Sequence, residues 1–155
     1  MSKKSIMVEM ENGLQEVGVF HGDHGLTDEH WRLVEIQLAG WDGSFRMEVI
    51  DFGEELPALT SGLYGPVEGD EAISENEVVY QKRGDRNNYS RMIDRPGRPV
   101  QKLVLIVGSN KGKPTVFTCY GGNTIAPREP SETMSPEEYN ESRKFWNQHA
   151  LSLHC

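Results

Sequence analysis

The chain has 155 residues, a formal net charge of −8 and 36% hydrophobic residues, enough for one domain of ordinary size with a real core. No stretch approaches the roughly 20 apolar residues of a membrane span, the start "MSKKSIMVEM" lacks an apolar h-region, and two cysteines make no disulfide framework. These features exclude a helical membrane protein and a disulfide scaffold, and they predict one cytoplasmic domain over residues 1–155 without cofactor or bound metal.

Period-two alternation dominates the chain. "SIMVEM" and "LQEVGVF" flank Asn12-Gly13 and predict a hairpin. Thr27 is placed to cap a short turn of helix over "DEHW". "RLVEIQLAGW", Asp42-Gly43 and "SFRMEVIDF" then predict a second hairpin, with Leu38 facing Met47 and Ile36 facing Val49 on an apolar face while Gln37 and Glu48 point away. Trp31, Val34 and Leu38 also share a helical face, so a helix through Leu38 is the competing reading; the Asp-Gly turn favours the strand. Residues 53–76 hold neither period and predict a long acidic connection, of the kind that is functional or mobile.

A strand "EVVYQK", a basic loop "RGDRNN", a strand "YSRMID" and the turn "RPGRP" follow. "KLVLIV" reads as a fully buried strand that "SNKGK" turns back into "PTVFTCY". The chain closes on its strongest helix signal, with Ser135 as N-cap, Pro136 at the first helical position, and Glu137 and Glu138 in the first turn. Tyr139, Trp146, Ala150 and Leu153 lie at helical spacing and predict its apolar stripe. The expected fold is α+β: a mostly antiparallel, strongly twisted sheet built from hairpins, with a C-terminal helix packed on it.

Charge is unevenly spread. Residues 1–81 carry 4 Lys/Arg against 17 Asp/Glu, whereas residues 82–113 carry 9 Lys/Arg against Asp85 and Asp94 alone. A basic block inside an acidic chain predicts contact with RNA or another polyanion, or with an unidentified protein partner. The alternative is that its cations pair with the acidic half.

Three of the five histidines, His21, His24 and His30, crowd into "VFHGDHGLTDEHW". As general acids or bases they need only placement, because imidazole titrates near working pH, and Gly22 and Gly25 would let a substrate approach the backbone. The alternatives are a structural glycine-rich turn and a metal site with Asp23, although H-x₂-H on such a turn lacks the ligand spacing of known zinc patterns. Later, Thr118 and Tyr120 share a strand face and project two hydroxyls together, while Gly121-Gly122 expose amides as a candidate anion nest. Cys119 points to the opposite face, where a buried thiol is inert.

"TCYGGNTIAPREP" followed by "ESRKFWNQHAL" resembles a C-terminal pattern of uncharacterised bacterial proteins, with a YGG-x₃-AP-x-EP box and an FW-x₂-HAL helix. The broader layout is similar to the small ribonuclease-toxin fold of EndoU and colicin D type nucleases, over roughly residues 89–151. That resemblance implies His21 and His24 as acid and base, Arg91 as the phosphate-binding cation, and Thr118 with Tyr120 at the late-strand position; Arg83 and Arg86 of the basic block are further phosphate-binding candidates, and His30 is a further acid/base candidate. The favoured reading is a binding or otherwise non-catalytic domain. One alternative is a metal-independent ribonuclease-like enzyme using histidine acid/base chemistry. The other is a small-molecule enzyme or metal protein using the same histidine-rich pocket.

Overall fold

The computed structural model describes residues 3–21, 26–66, 71–83 and 88–154, with side chains for all of these except residues 21, 54–60, 83, 88 and 89. His24, Arg86, and the glycines and aspartate beside His24 therefore lie outside the described residues. The chain forms β1 (Ser5–Met10), β2 (Gly13–His21), α1 (Asp28–Gln37), β3 (Arg46–Ser61), β4 (Leu63–Tyr64), β5 (Val78–Arg83), β6 (Asn88–Ile93), β7 (Arg98–Asn110), β8 (Lys113–Gly121), α2 (Pro136–Trp146) and β9 (Ala150–Ser152). The strands make a five-stranded sheet, β1-β2-β8-β7-β3, and a four-stranded sheet, β4-β9-β6-β5. Only the β2–β8 and β6–β9 pairs are parallel. The α+β expectation holds, with a mostly antiparallel framework and a C-terminal helix. No helix of the described residues is long and apolar enough to cross a membrane.

Two compact units divide the chain: residues 1–61 with 98–125, and residues 62–97 with 126–155. In the first, two of the expected hairpins are present, β1–β2 and β7–β8, with the β1–β2 turn one residue earlier than its sequence signal: Met10 pairs with Gly13, so Glu11-Asn12 form the turn. The β7–β8 turn is Lys111-Gly112, both at positive φ (53° and 77°), as the tight turn between two right-twisted strands requires. Leu103, Leu105 and Val107 of β7 are fully buried against Val8, Val17, Val116 and Cys119.

The strand expected over residues 32–41 is instead α1. Thr27 caps it, and Trp31, Val34 and Leu38 are buried at helical spacing against β1. Three large apolar side chains on one helical stripe outweigh the turn signal. The Asp42 carboxylate accepts from the Ser44 N–H at 2.9 Å, a local turn that links helix to strand rather than strand to strand. Met47 and Val49 accordingly pair with Ile106 and Val104 of β7, not with Leu38 and Ile36. The expected acidic connection also starts later, because β3 continues through Ser61 with two register shifts.

In the second unit α2 begins as expected, with the Ser135 hydroxyl accepting from Glu138 N–H at 3.2 Å and Pro136 in its first turn. It ends at Trp146. Ala150, expected on the helical stripe, belongs to β9, where it is fully buried and pairs with Tyr64. The chain leaves the helix at Asn147, and the Arg91 guanidinium gathers the carbonyls of Trp146 and His149. Two carbonyls held from outside stop the helix and free the next residues to enter a sheet.

Candidate functional site

His30, a candidate acid/base residue, occupies the third position of α1 and closes a capping box with Thr27. The Thr27 N–H donates to His30 Nδ1 at 3.0 Å, and the His30 N–H donates to the Thr27 hydroxyl at 3.4 Å. Histidine here does the work usually given to Glu or Gln. The ring is buried, with Phe52 centred 6.0 Å away. Burial lowers its pKa, and the Glu29 carboxylate opposes that shift. An Nδ1 that accepts an N–H must be unprotonated, so the folded protein binds the neutral ring.

The pH dependence follows. A pKa depressed by folding adds stability above the ordinary histidine value of about 6.5, and that stability is lost as pH falls below it. His30→Gln keeps the reciprocal cap without a group that titrates there. Denaturant melts between pH 7 and pH 5.5 are expected to show a smaller loss of stability for His30→Gln than for wild type. Equal losses would mean that the cap does not depend on neutral His30.

His21 ends β2 and is the register partner of Thr118 on β8. Thr118 and Tyr120 do share a face, opposite Ile106 and Val104 of β7, and the Tyr120 hydroxyl donates to the Thr124 carbonyl at 3.5 Å. Cys119 points into the core, where burial pushes its thiol pKa up. The Gly122 N–H donates to the Lys102 carbonyl at 2.9 Å, so this half of the candidate nest is used within the sheet, and Gly121 pairs with Leu103. Among the described residues no three His, Cys, Asp or Glu side chains gather as metal ligands.

Arg91 lies on β6 in the second unit and is 5% exposed. Its Nη1 donates to the Trp146 carbonyl and, at 2.9 Å, to that of His149; its Nη2 donates to the Glu75 carboxylate at 2.5 Å. Its Nε is buried without a hydrogen-bond partner among the described residues. Arg95 forks onto Glu77 at 3.2 and 2.6 Å, and the Ser74 N–H, then Arg95, hold the Glu77 carboxyl below its usual pKa. Two cations of the basic block thus pair with carboxylates of the acidic half, Glu75 and Glu77, as the charge-pairing alternative anticipates. Residues 82–97 of the block lie in the second unit and 98–113 in the first. Arg83 ends β5, with its side chain outside the description.

A feature of the first unit was not picked out from sequence. On the sheet face opposite the core, Phe20, Phe117, Thr118, Ile106 and Met47 form a row across β2, β8, β7 and β3. Phe20 is 64% exposed, Phe45 63%, Met47 51% and Val49 40%. Phe117 and Phe45 lie over Gly108, where a Cβ would come within 2.8 Å of the Phe117 ring and 3.3 Å of the Phe45 ring. Glycine at this position lets both rings lie against the sheet. Among the described residues, charged side chains on this face stand beyond the apolar rows, at Glu9, Glu16 and Lys113 on one end and Lys102 and Asp51 on the other, by strand alternation. The available signal was the alternation of Phe45, just before β3, with Met47 and Val49 on it, which the expected hairpin with residues 32–41 turned inward.

Comparison with protein-family models, curated proteins and solved structures returned no match.

Proposed function

We propose that this chain is a non-catalytic binding protein, and that the open face of its five-stranded sheet takes up the apolar surface of a partner protein. One observation carries the proposal: Phe20, Phe45, Met47 and Val49 stay exposed in adjacent rows of one sheet face. Together they present on the order of 400 Å² of apolar surface, within the size range of the largest patch on a monomer, which is often functional. Aromatic residues and methionine at the centre, with charge at the margins, match the anatomy of a protein interface. An uncharged centre offers a polyanion nothing to neutralise, so an apolar protein surface fits it better than RNA. Burying this area gives about 10 kcal/mol gross, most of which association entropy offsets, so the account expects a micromolar complex. The commitments of His30 to a helix cap and of Arg91 to a helix end also favour binding over cleavage.

The test is a photo-crosslinking amino acid at position 20 or 47 in cells, with position 137 on the exposed first turn of α2 as control. The reading expects one discrete adduct from the face positions and none from the control, and the captured protein, once purified, should bind the wild-type chain directly. Absence of an adduct, or an adduct whose purified protein does not bind, argues against it. Cleavage of an RNA pool in EDTA, abolished in His21→Ala, would favour the ribonuclease-like alternative instead.

A further inference from the structure

The second unit offers a different surface. β5 pairs only with β6 among the described residues and forms one edge of the four-stranded sheet, so its other side presents backbone donors and acceptors to any extended chain that reaches it. Strand alternation puts Tyr80 and Lys82 on one face and Val79 and Gln81 on the other. Tyr80 is the register partner of Arg91, whose guanidinium holds the end of α2, so the Tyr80 face is the one that α2 covers. Tyr80, Arg91, Tyr139, Arg143 and Trp146 line a cleft of about 320 Å³ there. The Arg143 guanidinium lies 5.9 Å from the centre of the Tyr139 ring. Lys82 and Arg143 are both exposed, and neither has a carboxylate partner among the described residues. Tyr80 and Val79 remain 57% and 47% exposed.

We infer that β5 accepts an extended acidic peptide of a partner protein as an added strand, with acidic side chains on the Tyr80 face and apolar ones on the Val79 face. The main chain of the peptide supplies the hydrogen bonds, and alternate side chains supply the selectivity. A residue opposite Tyr80 projects toward the cleft, where Arg143 meets its carboxylate; the next residue on that face meets Lys82. Residues in between lie beside Val79. Lysine on an edge strand also deters indiscriminate strand pairing, so the same charge that excludes neutral and basic strands selects an acidic one. This surface is separate from the sheet face of the first unit, and either proposal can fail alone.

The test uses the full chain and a dye-labelled peptide alternating Glu and Val, read by fluorescence anisotropy. The acidic peptide is expected to bind, more weakly as salt is added, and a Lys/Val peptide is not. Lys82→Glu combined with Arg143→Glu, its fold checked by circular dichroism, should weaken the acidic peptide by about tenfold or more and admit the basic one. Peptides methylated at alternate backbone nitrogens, in the two possible phases, should differ, with one phase losing binding. Equal affinity for the acidic and basic peptides overturns the charge selection. Undiminished binding of both methylated peptides overturns the strand addition.

Discussion

Arg91→Ala is expected to destabilise the fold by about 3–5 kcal/mol, from two stranded carbonyls at about 1–3 kcal/mol each and the gap left by a large buried side chain. The guanidinium is 5% exposed and serves two carbonyls at the end of α2, those of Trp146 and His149, besides the Glu75 carboxylate. Alanine would leave both carbonyls without a donor and leave a gap between β6 and α2. Glu75, with its side chain 70% exposed, is the lesser partner: its loss leaves the buried guanidinium both carbonyls, so Glu75→Ala should cost about 1–2 kcal/mol, less than Arg91→Ala. Arg91→Lys should not rescue fully, because one ammonium cannot span two carbonyls and a carboxylate in the guanidinium plane. Urea melts of the three variants check this. A Glu75→Ala cost equal to that of Arg91→Ala would show that the ion pair, and not the helix end, is what Arg91 sustains.

Trp146→Ala should cost a similar amount, about 3–5 kcal/mol, for a different reason. The indole is 4% exposed, meets Phe145 edge-on with ring centres 5.1 Å apart, and donates from Nε1 to the Pro127 carbonyl at 3.1 Å. Truncation opens a cavity and strands that carbonyl. Trp146→Phe keeps most of the apolar contact and loses the donor, for about 1–3 kcal/mol. Glu141→Ala, on the exposed side of the same helix, should fall within about 0.5 kcal/mol of wild type. Equal effects of Trp146→Ala and Glu141→Ala would mean that α2 does not pack through Trp146.

Local chemistry was legible where one signal stood alone. Ser135 with Pro136 starts α2, Lys111-Gly112 turns β7 into β8, and Leu103, Val104, Leu105 and Val107 are buried in β7. Legibility failed where two signals competed. Residues 32–38 carry a helical stripe and a turn dipeptide at once, and only burial of Trp31, Val34 and Leu38 against β1 decides for the helix. Ala150 fits the helical stripe equally well as a strand, and Arg91, 55 residues before Trp146 in sequence, decides where the helix stops. His30 looked like chemistry because a capping box is normally closed by Glu or Gln, so Thr27-x-x-His30 carried no recognised pattern. The exposed face was hidden by the same misplaced hairpin: with residues 32–37 in α1 and no strand over 32–41, Met47 and Val49 lie on the solvent side. Arg91 shows a limit of another kind, since a cation inside a basic run looks the same in sequence whether it meets a phosphate or a helix end.

In the proposed function, the apolar face of the five-stranded sheet is the surface that binds. The measurement that tests it most directly is the affinity of the purified crosslinked partner for Met47→Lys, by isothermal titration, beside wild type and His21→Ala. Lysine at a half-exposed position of an edge strand is tolerated by the fold, so the variant should melt within about 1 kcal/mol of wild type. The account predicts that Met47→Lys weakens binding at least about tenfold, as a buried charge without a partner requires, and that His21→Ala binds as wild type does. Unchanged affinity in Met47→Lys, with affinity lost in His21→Ala, would contradict it and return the function to the histidine segment.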